Sequence, residues 1–177
     1  MEFRAITIKG KQYGNTGERG CDKILSDFNM VTLPNVFFYD SDFFGILRDP
    51  QHLDFQDVKE AILLMALCHT VVAENKLEGL IYNSASPDEL AMVNFAKFCG
   101  FEYLGLDENN NICVNFMSKR LIYKLLYIFE FNGERKRQSV IILKENKDIY
   151  LYCKGADSTM ENLIDKRTTK SKMYIFK

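Results

Sequence analysis

The chain has 177 residues, 47% hydrophobic, 27% charged and 13% aromatic, which suits one globular domain and excludes a disordered or fibrous chain. A domain of this size buries roughly 70% of its unfolded surface and needs no disulfide or metal to hold it. Lys and Arg number 23 against 24 Asp and Glu, a formal net charge of −1. That balance argues against a nucleic-acid binder, which carries a clear basic excess.

Cys21, Cys68, Cys99, Cys113 and Cys153 are unevenly spaced and odd in number, so they read as reduced thiols of a cytosolic setting. With no C-x-x-C and only His52 and His69, no metal site is expected. The most apolar stretch, residues 61–72, is interrupted by His69 and Thr70. It falls short of the about 20 apolar residues that cross a bilayer, so the chain by itself reads as soluble.

Along the chain, Phe3 to Ile8 alternates loosely and predicts a short strand. Gly10, Gly14, Gly17 and Gly20 then predict a mobile surface loop. Residues 41–48 predict a short helix opened by Asp40 or Ser41. Asp54 to Cys68 predicts a longer one: Phe55, Val58, Ile62, Leu64 and Met65 recur at helical spacing, with Asp57, Lys59 and Glu60 on the other face. Ser86-Pro87-Asp88-Glu89 opens a further helix. Ser86 suits the N-cap, Pro87 the first helical position, and Glu89 the place where a capping box puts its carboxylate. Leu90, Met92, Val93, Ala96 and Phe98 continue its apolar face until Gly100.

The second half is β-rich. Strands are predicted over Phe101 to Leu106, Ile112 to Phe116, Leu121 to Phe131, Ser139 to Leu143 and Ile149 to Cys153, separated by turn-forming runs, which is an antiparallel meander. Residues 157–165 predict a helix capped by Asp157 or Ser158. Residues 166–177 form a basic tail, expected to be loose. No internal repeat is present.

Neither G-x-x-x-x-G-K-S/T nor G-x-G-x-x-G occurs, which argues against a P-loop or dinucleotide-fold nucleotide site. Cys68 and His69 are adjacent at a helix end, where side chains diverge, and read as structural. Ser84 to Glu89 reads at least as well as a helix cap as a ligand set. Phe129 to Arg137 reads first as a core strand with a solvated turn, and second as an aromatic plate beside Arg135, Lys136 and Arg137 that stacks a base and attracts phosphates. Lys154-Gly155 at a strand end lets a ligand approach closely, although such a lysine is usually only exposed.

Taken together and in this order, Ser86-Pro87-Asp88-Glu89, Arg135-Lys136-Arg137 with Ser139-Val140, and Cys153-Lys154-Gly155-Ala156-Asp157 resemble the nucleotide-binding domain of P4-type ATPases, the phospholipid flippases of the P-type ATPase superfamily. Cys68-His69-Thr70-Val71 with Glu74 and the opening from Met1 to Gly14 fit the same resemblance, which covers residues 1 to about 165. The Lys-Gly-Ala triplet belongs to the whole superfamily, whereas Ser-Pro-Asp-Glu with Arg-Lys-Arg points to flippases. Two positions depart: the family usually carries Met where Gln138 stands, and a small hydroxyl residue where Gly133 stands.

The resemblance implies an α+β fold, an antiparallel sheet of about six or seven strands flanked by helices mainly on one side. It implies ATP as ligand, with Mg²⁺ accompanying the nucleotide and held mainly by absent domains. Phe131 would stack on the adenine, Lys154 would close the pocket from the other side with Gly155 beside it, and Glu89 would lie near the adenine amino group. Arg135 and Lys136 would lie toward the phosphates. No catalytic residue is expected, because the Asp-Lys-Thr-Gly-Thr nucleophile motif is not in the sequence. Residues 1–165 are therefore expected to be an excised ATP-binding domain, cut short at its C-terminal end. Its parent would be a membrane-embedded ATPase coupling hydrolysis to phospholipid translocation, with this domain on the cytosolic face. The implied partners are the phosphorylation and actuator domains of the same parent, its phospholipid substrate and an accessory subunit. The alternatives are the equivalent domain of a cation-transporting P-type ATPase and a regulatory interaction module that binds no nucleotide.

Overall fold

The computed structural model describes residues 1–14, 21–77, 79–145, 147–164 and 174–176. The chain opens with a hairpin, β1 (Ala5–Ile8) and β2 (Lys11–Gly14). Its two turn residues, Lys9 and Gly10, both have positive φ (52° and 80°), the handedness that matches the twist of paired strands. Gly10 and Gly14 thus belong to a hairpin rather than to the predicted loop; Gly17 and Gly20 lie outside the described residues. After α1 (Cys21–Asp27), the Asp40 carboxylate caps α2 (Ser41–Arg48). One oxygen of Asp40 accepts from Phe43 N–H and the other from Gly14 N–H, both at 2.9 Å, so a single side chain starts the helix and fastens the hairpin to it.

The central helix, α3 (Phe55–Leu67), is buried nearly all round. Its predicted polar face does not meet solvent alone. Asp57 is buried and lies 3.3 Å from Lys9 Nζ, while Glu60 accepts from Lys144 Nζ at 2.8 Å and from the Tyr152 hydroxyl at 2.5 Å. Acidic residues at helical spacing here mark contacts to other elements. An exposed ribbon follows, β3 (Val72–Lys76) with β4 (Gly79–Asn83), which the sequence reading did not find because Ala-Glu-Asn-Lys shows no strand alternation.

Then α4 (Pro87–Phe98) packs on α3, with Pro87 in its first turn and Gly100, at φ 87°, ending it. The meander is formed as predicted: β5 (Phe101–Leu106), β6 (Ile112–Phe116), β7 (Lys119–Phe129), β8 (Arg137–Leu143) and β9 (Ile149–Gly155) lie in that order, every pair antiparallel. The long strand β7 is shared. Residues 119–123 pair with β6 and residues 124–129 with β8, with a register shift between Leu125 and Tyr127. Glu130 and Phe131, predicted inside the strand, lie beyond its end.

The predicted last helix is shorter, α5 (Asp157–Glu161), and Ala156 occupies its N-cap with no side-chain cap bond. The last strand, β10 (Tyr174–Phe176), pairs with β1, so this part of the expected loose tail is structured. The fold is therefore α+β and antiparallel, with the strands divided into a five-stranded sheet, a three-stranded sheet β10-β1-β2 and the β3-β4 ribbon.

The core lies between α3, α4 and the inner face of the meander. Phe3 stacks on Phe95 with centroids 3.9 Å apart, and Phe38 meets both Phe43 and Phe95 edge to face. Val140, Ile142 and Tyr152 contribute the sheet side. The opposite face of the same strands carries exposed Tyr127 and Leu151, cross-strand neighbours through Ile141. No helix among the described residues is long and apolar enough to cross a membrane.

Candidate functional site

A cavity of about 810 Å³ opens where the N-terminus of α4, the end of β7 and the ends of β8 and β9 converge, with Met1 and Glu2 on its remaining side. Its walls bring together Glu89, Phe131, Gln138, Lys154 and Gly155. Four of the six residues singled out for ligand binding thus share one space, although Glu89 and Lys154 are 65 positions apart in the chain.

Glu89 is set by the start of α4. Ser86 accepts from Glu89 N–H at 3.4 Å, the N-cap half of a capping box. The reciprocal half is not formed. The Ser86 N–H donates to Ser84 Oγ at 3.1 Å, and the Glu89 carboxylate turns into the cavity instead. There Oε2 accepts from the backbone N–H and hydroxyl of Thr70 at 3.0 and 2.8 Å, and Oε1 accepts from Lys154 Nζ at 2.8 Å. Both members of the ion pair are largely buried. Burial alone raises the Glu89 pKa, but the Lys154 ammonium and the two Thr70 donors outweigh it and hold the carboxyl below its ordinary value. Of about four lone-pair directions on a carboxylate, three are therefore taken.

Lys154 and Gly155 end β9. A side chain at Gly155 would place its Cβ 2.6 Å from the Lys136 carbonyl oxygen and 3.0 Å from Arg137 Cα, so only glycine lets β8 and β9 approach here. Phe131 is 63% exposed, an aromatic face offered to the cavity and not engaged by the core. Gln138, on β8, is the cross-strand neighbour of Lys154 and is 2% exposed.

Arg135 and Lys136 are not part of the cavity wall. The Arg135 guanidinium lies over the Phe129 ring at 5.0 Å and within 3.4 Å of Ser139 Oγ. Lys136 is exposed, and its backbone borders the wall because its carbonyl accepts from Ala156 N–H at 3.2 Å. Thr70 is the contributor that sequence reasoning missed as a site residue. Nothing local marks it, since its partner Glu89 is 19 positions away. His69 beside it is structural, as expected: Nε2 lies 2.9 Å from the Ala66 carbonyl and Nδ1 accepts from Val71 N–H at 3.1 Å. Burial lowers its pKa to about 4, so it is neutral at pH 7. Among the described residues, no group of three or more His, Cys, Asp or Glu is arranged to hold a metal ion.

An aromatic plate, a buried ion pair and a glycine-narrowed strand end thus surround one cavity on an α+β scaffold, a combination of apolar face and few polar groups of the kind small-molecule pockets use. The family model described as P-type ATPase, cytoplasmic domain N, matches residues 57–171, and the chain belongs to that family. It is similar to phospholipid-transporting ATPase IC of Xenopus tropicalis, 36% identical over 90% of this chain and 13% of the relative. Phospholipid-transporting ATPase FetA of Mus musculus is 35% identical over 93% of the chain and 14% of its own length. Phospholipid-transporting ATPase DNF1 of Chaetomium thermophilum is 41% identical over 94% and 13%. The chain thus spans about one seventh of the length of these relatives, which are enzymes by name.

Proposed function

We propose that residues 1–165 form the ATP-binding domain of a phospholipid-translocating P-type ATPase, presenting the γ-phosphate to a catalytic Asp in a separate domain. The observation that carries this reading is the convergence of Phe131, Glu89, Lys154 and Gly155 on one cavity in a chain of this family. The residues suit a purine nucleotide. Phe131 supplies a face for the base, Glu89 keeps one acceptor direction near the exocyclic amino group, and Lys154 closes the far side. Gly155 lets a ligand lie against backbone. Arg135 and Lys136 add positive charge at the neighbouring turn, with the exposed Lys136 directed to the phosphates. Mg²⁺ would arrive with the nucleotide and be held mainly by the phosphorylation domain. When bound, ATP supplies the transferable phosphoryl group; this chain's residues hold its base end.

The relatives' names support phospholipid as the cargo of the parent, on the cytosolic face of whose membrane this domain would work, with actuator and phosphorylation domains and an accessory subunit as partners. Calorimetric titration with ATP tests the domain's part. Saturable binding is expected, weakened about fivefold to a hundredfold by Phe131→Ala, the range of a lost base–aromatic stack. Because Phe131 is 63% exposed, the variant should unfold at the temperature of the parent chain. Absence of binding at millimolar ATP would defeat the reading and favour an interaction module.

A further inference from the structure

The turn that leaves α3 sends one residue into the cavity wall. Cys68 ends the helix, its N–H on the Leu64 carbonyl at 2.9 Å. His69 is buried, its ring held between the Ala66 carbonyl and the Val71 N–H at 2.9 and 3.1 Å. Cys68 and Val71 are buried as well, so the backbone on either side of Thr70 is fixed. Thr70 is exposed and, among residues 68–71, it alone lines the cavity. Both of its donors, the backbone N–H at 3.0 Å and the hydroxyl at 2.8 Å, go to the same oxygen of Glu89, Oε2. A carboxylate oxygen accepts about two hydrogen bonds, so Oε2 is filled. Oε1 accepts from Lys154 Nζ at 2.8 Å and keeps a direction open.

We propose that Thr70 is a positioning residue for the ligand: by filling one oxygen of Glu89 it leaves the carboxylate a single open acceptor, on the oxygen that Lys154 holds. This rests on the nucleotide-binding reading above. Thr70 touches no reacting atom and acts through Glu89. Without the hydroxyl, a carboxylate held by Lys154 and one N–H is freer to turn about its last bond, and its open directions are divided between both oxygens. A donor group of the ligand then has to order the acceptor as it binds, which costs affinity. The hydroxyl also favours the ionised carboxyl over the neutral one, as the Lys154 ammonium does. The other titratable groups around Glu89 are His69 and Cys68 from the end of α3, Asp88 beside it on α4, and Glu2 and Glu130 in the cavity wall. All of them are common to the wild-type chain and to a variant at Thr70, so comparing the two isolates the hydroxyl.

ATP binding is measured by calorimetry at neutral pH on the wild-type chain, Thr70→Val and Thr70→Ser, and the Glu89 carboxyl is titrated by carbon NMR in the same chains without nucleotide. Thr70→Val keeps the shape and the backbone N–H and removes only the hydroxyl. It is expected to weaken ATP binding about threefold to tenfold, the worth of one hydrogen bond, and to raise the Glu89 midpoint, while Thr70→Ser restores both. Unchanged affinity in Thr70→Val, or equal losses in the Val and Ser variants, overturns the proposal. Weakened binding with an unmoved Glu89 midpoint also overturns it, because the effect would not pass through the carboxylate. Should Thr70→Val fail to fold, Thr70→Ala carries the same comparison. Failure of the wild-type chain to bind ATP at millimolar concentration defeats the nucleotide reading itself, whereas ATP binding indifferent to Thr70→Val defeats only the role of Thr70.

Discussion

His69 is buried next in sequence to Thr70, the residue that donates to Glu89, and the two titratable groups shift in the same sense. His69 accepts a proton at about pH 4 when folded and at 6.5 when unfolded. Between those values the unfolded chain binds more protons, so stability falls as pH drops from 6.5 toward 4 and is unaffected above 6.5. By pH 5 this amounts to about 2 kcal/mol. Glu89, held below its ordinary value by Lys154 and Thr70 against the cost of burial, acts at lower pH. Its stabilisation is intact above the unfolded carboxyl value and is lost as pH falls through the folded one. Urea unfolding at pH 7.5 and pH 5 should therefore show a loss that His69→Gln largely removes; an equal loss in that variant would refute the assignment. Both residues stood out in the sequence, but their roles were legible to different degrees. His69 was read correctly as structural from its place at a helix end. Glu89 was legible as a cap and by resemblance as a ligand. That it anchors Lys154 could not be read, because the pairing joins α4 to β9 through tertiary contacts alone.

Among the elements, the approach of β8 to β9 sets the cavity wall, and Gly155 is the position on which it depends. An added Cβ would meet backbone at 2.6 and 3.0 Å, which flexible side chains cannot relieve. Gly155→Ala should destabilise by roughly 1–3 kcal/mol, as overpacking does, and weaken ligand binding by displacing Lys154. Gly133→Ala, where a Cβ would meet nothing within 4 Å, should stay within about 0.5 kcal/mol of wild type. Thermal melts of the two variants compare these outcomes directly. The elements legible in the sequence were those with strong periodicity or explicit punctuation: α3 from its apolar spacing, α4 from Ser86-Pro87 and Gly100, and the meander from its turn runs. The ribbon β3-β4 was not, since most of its side chains are exposed and no alternation is imposed on it. β10 was not, because only pairing with β1 gives three residues of a basic tail the form of a strand.

On the scale of the whole molecule, the five strands of the meander belong to one sheet, but β7 divides it into two tiers. Residues 119–123 complete the tier of β5 and β6, and residues 124–129 that of β8 and β9, with the register shift after Leu125. The cavity draws on β8, β9 and the residues just past β7, and no residue of β5 or β6 lines it. Amide protons along a single continuous strand should accordingly report different events. Native-state hydrogen exchange measured with and without ATP is expected to slow in residues 124–155 and to remain unchanged across residues 101–123, with the break falling inside β7 rather than at either of its turns. Uniform slowing through both tiers would mean that the sheet opens as one unit. With the break in place, the far tier supplies an internal clock against which occupancy of the cavity is read from the same chain.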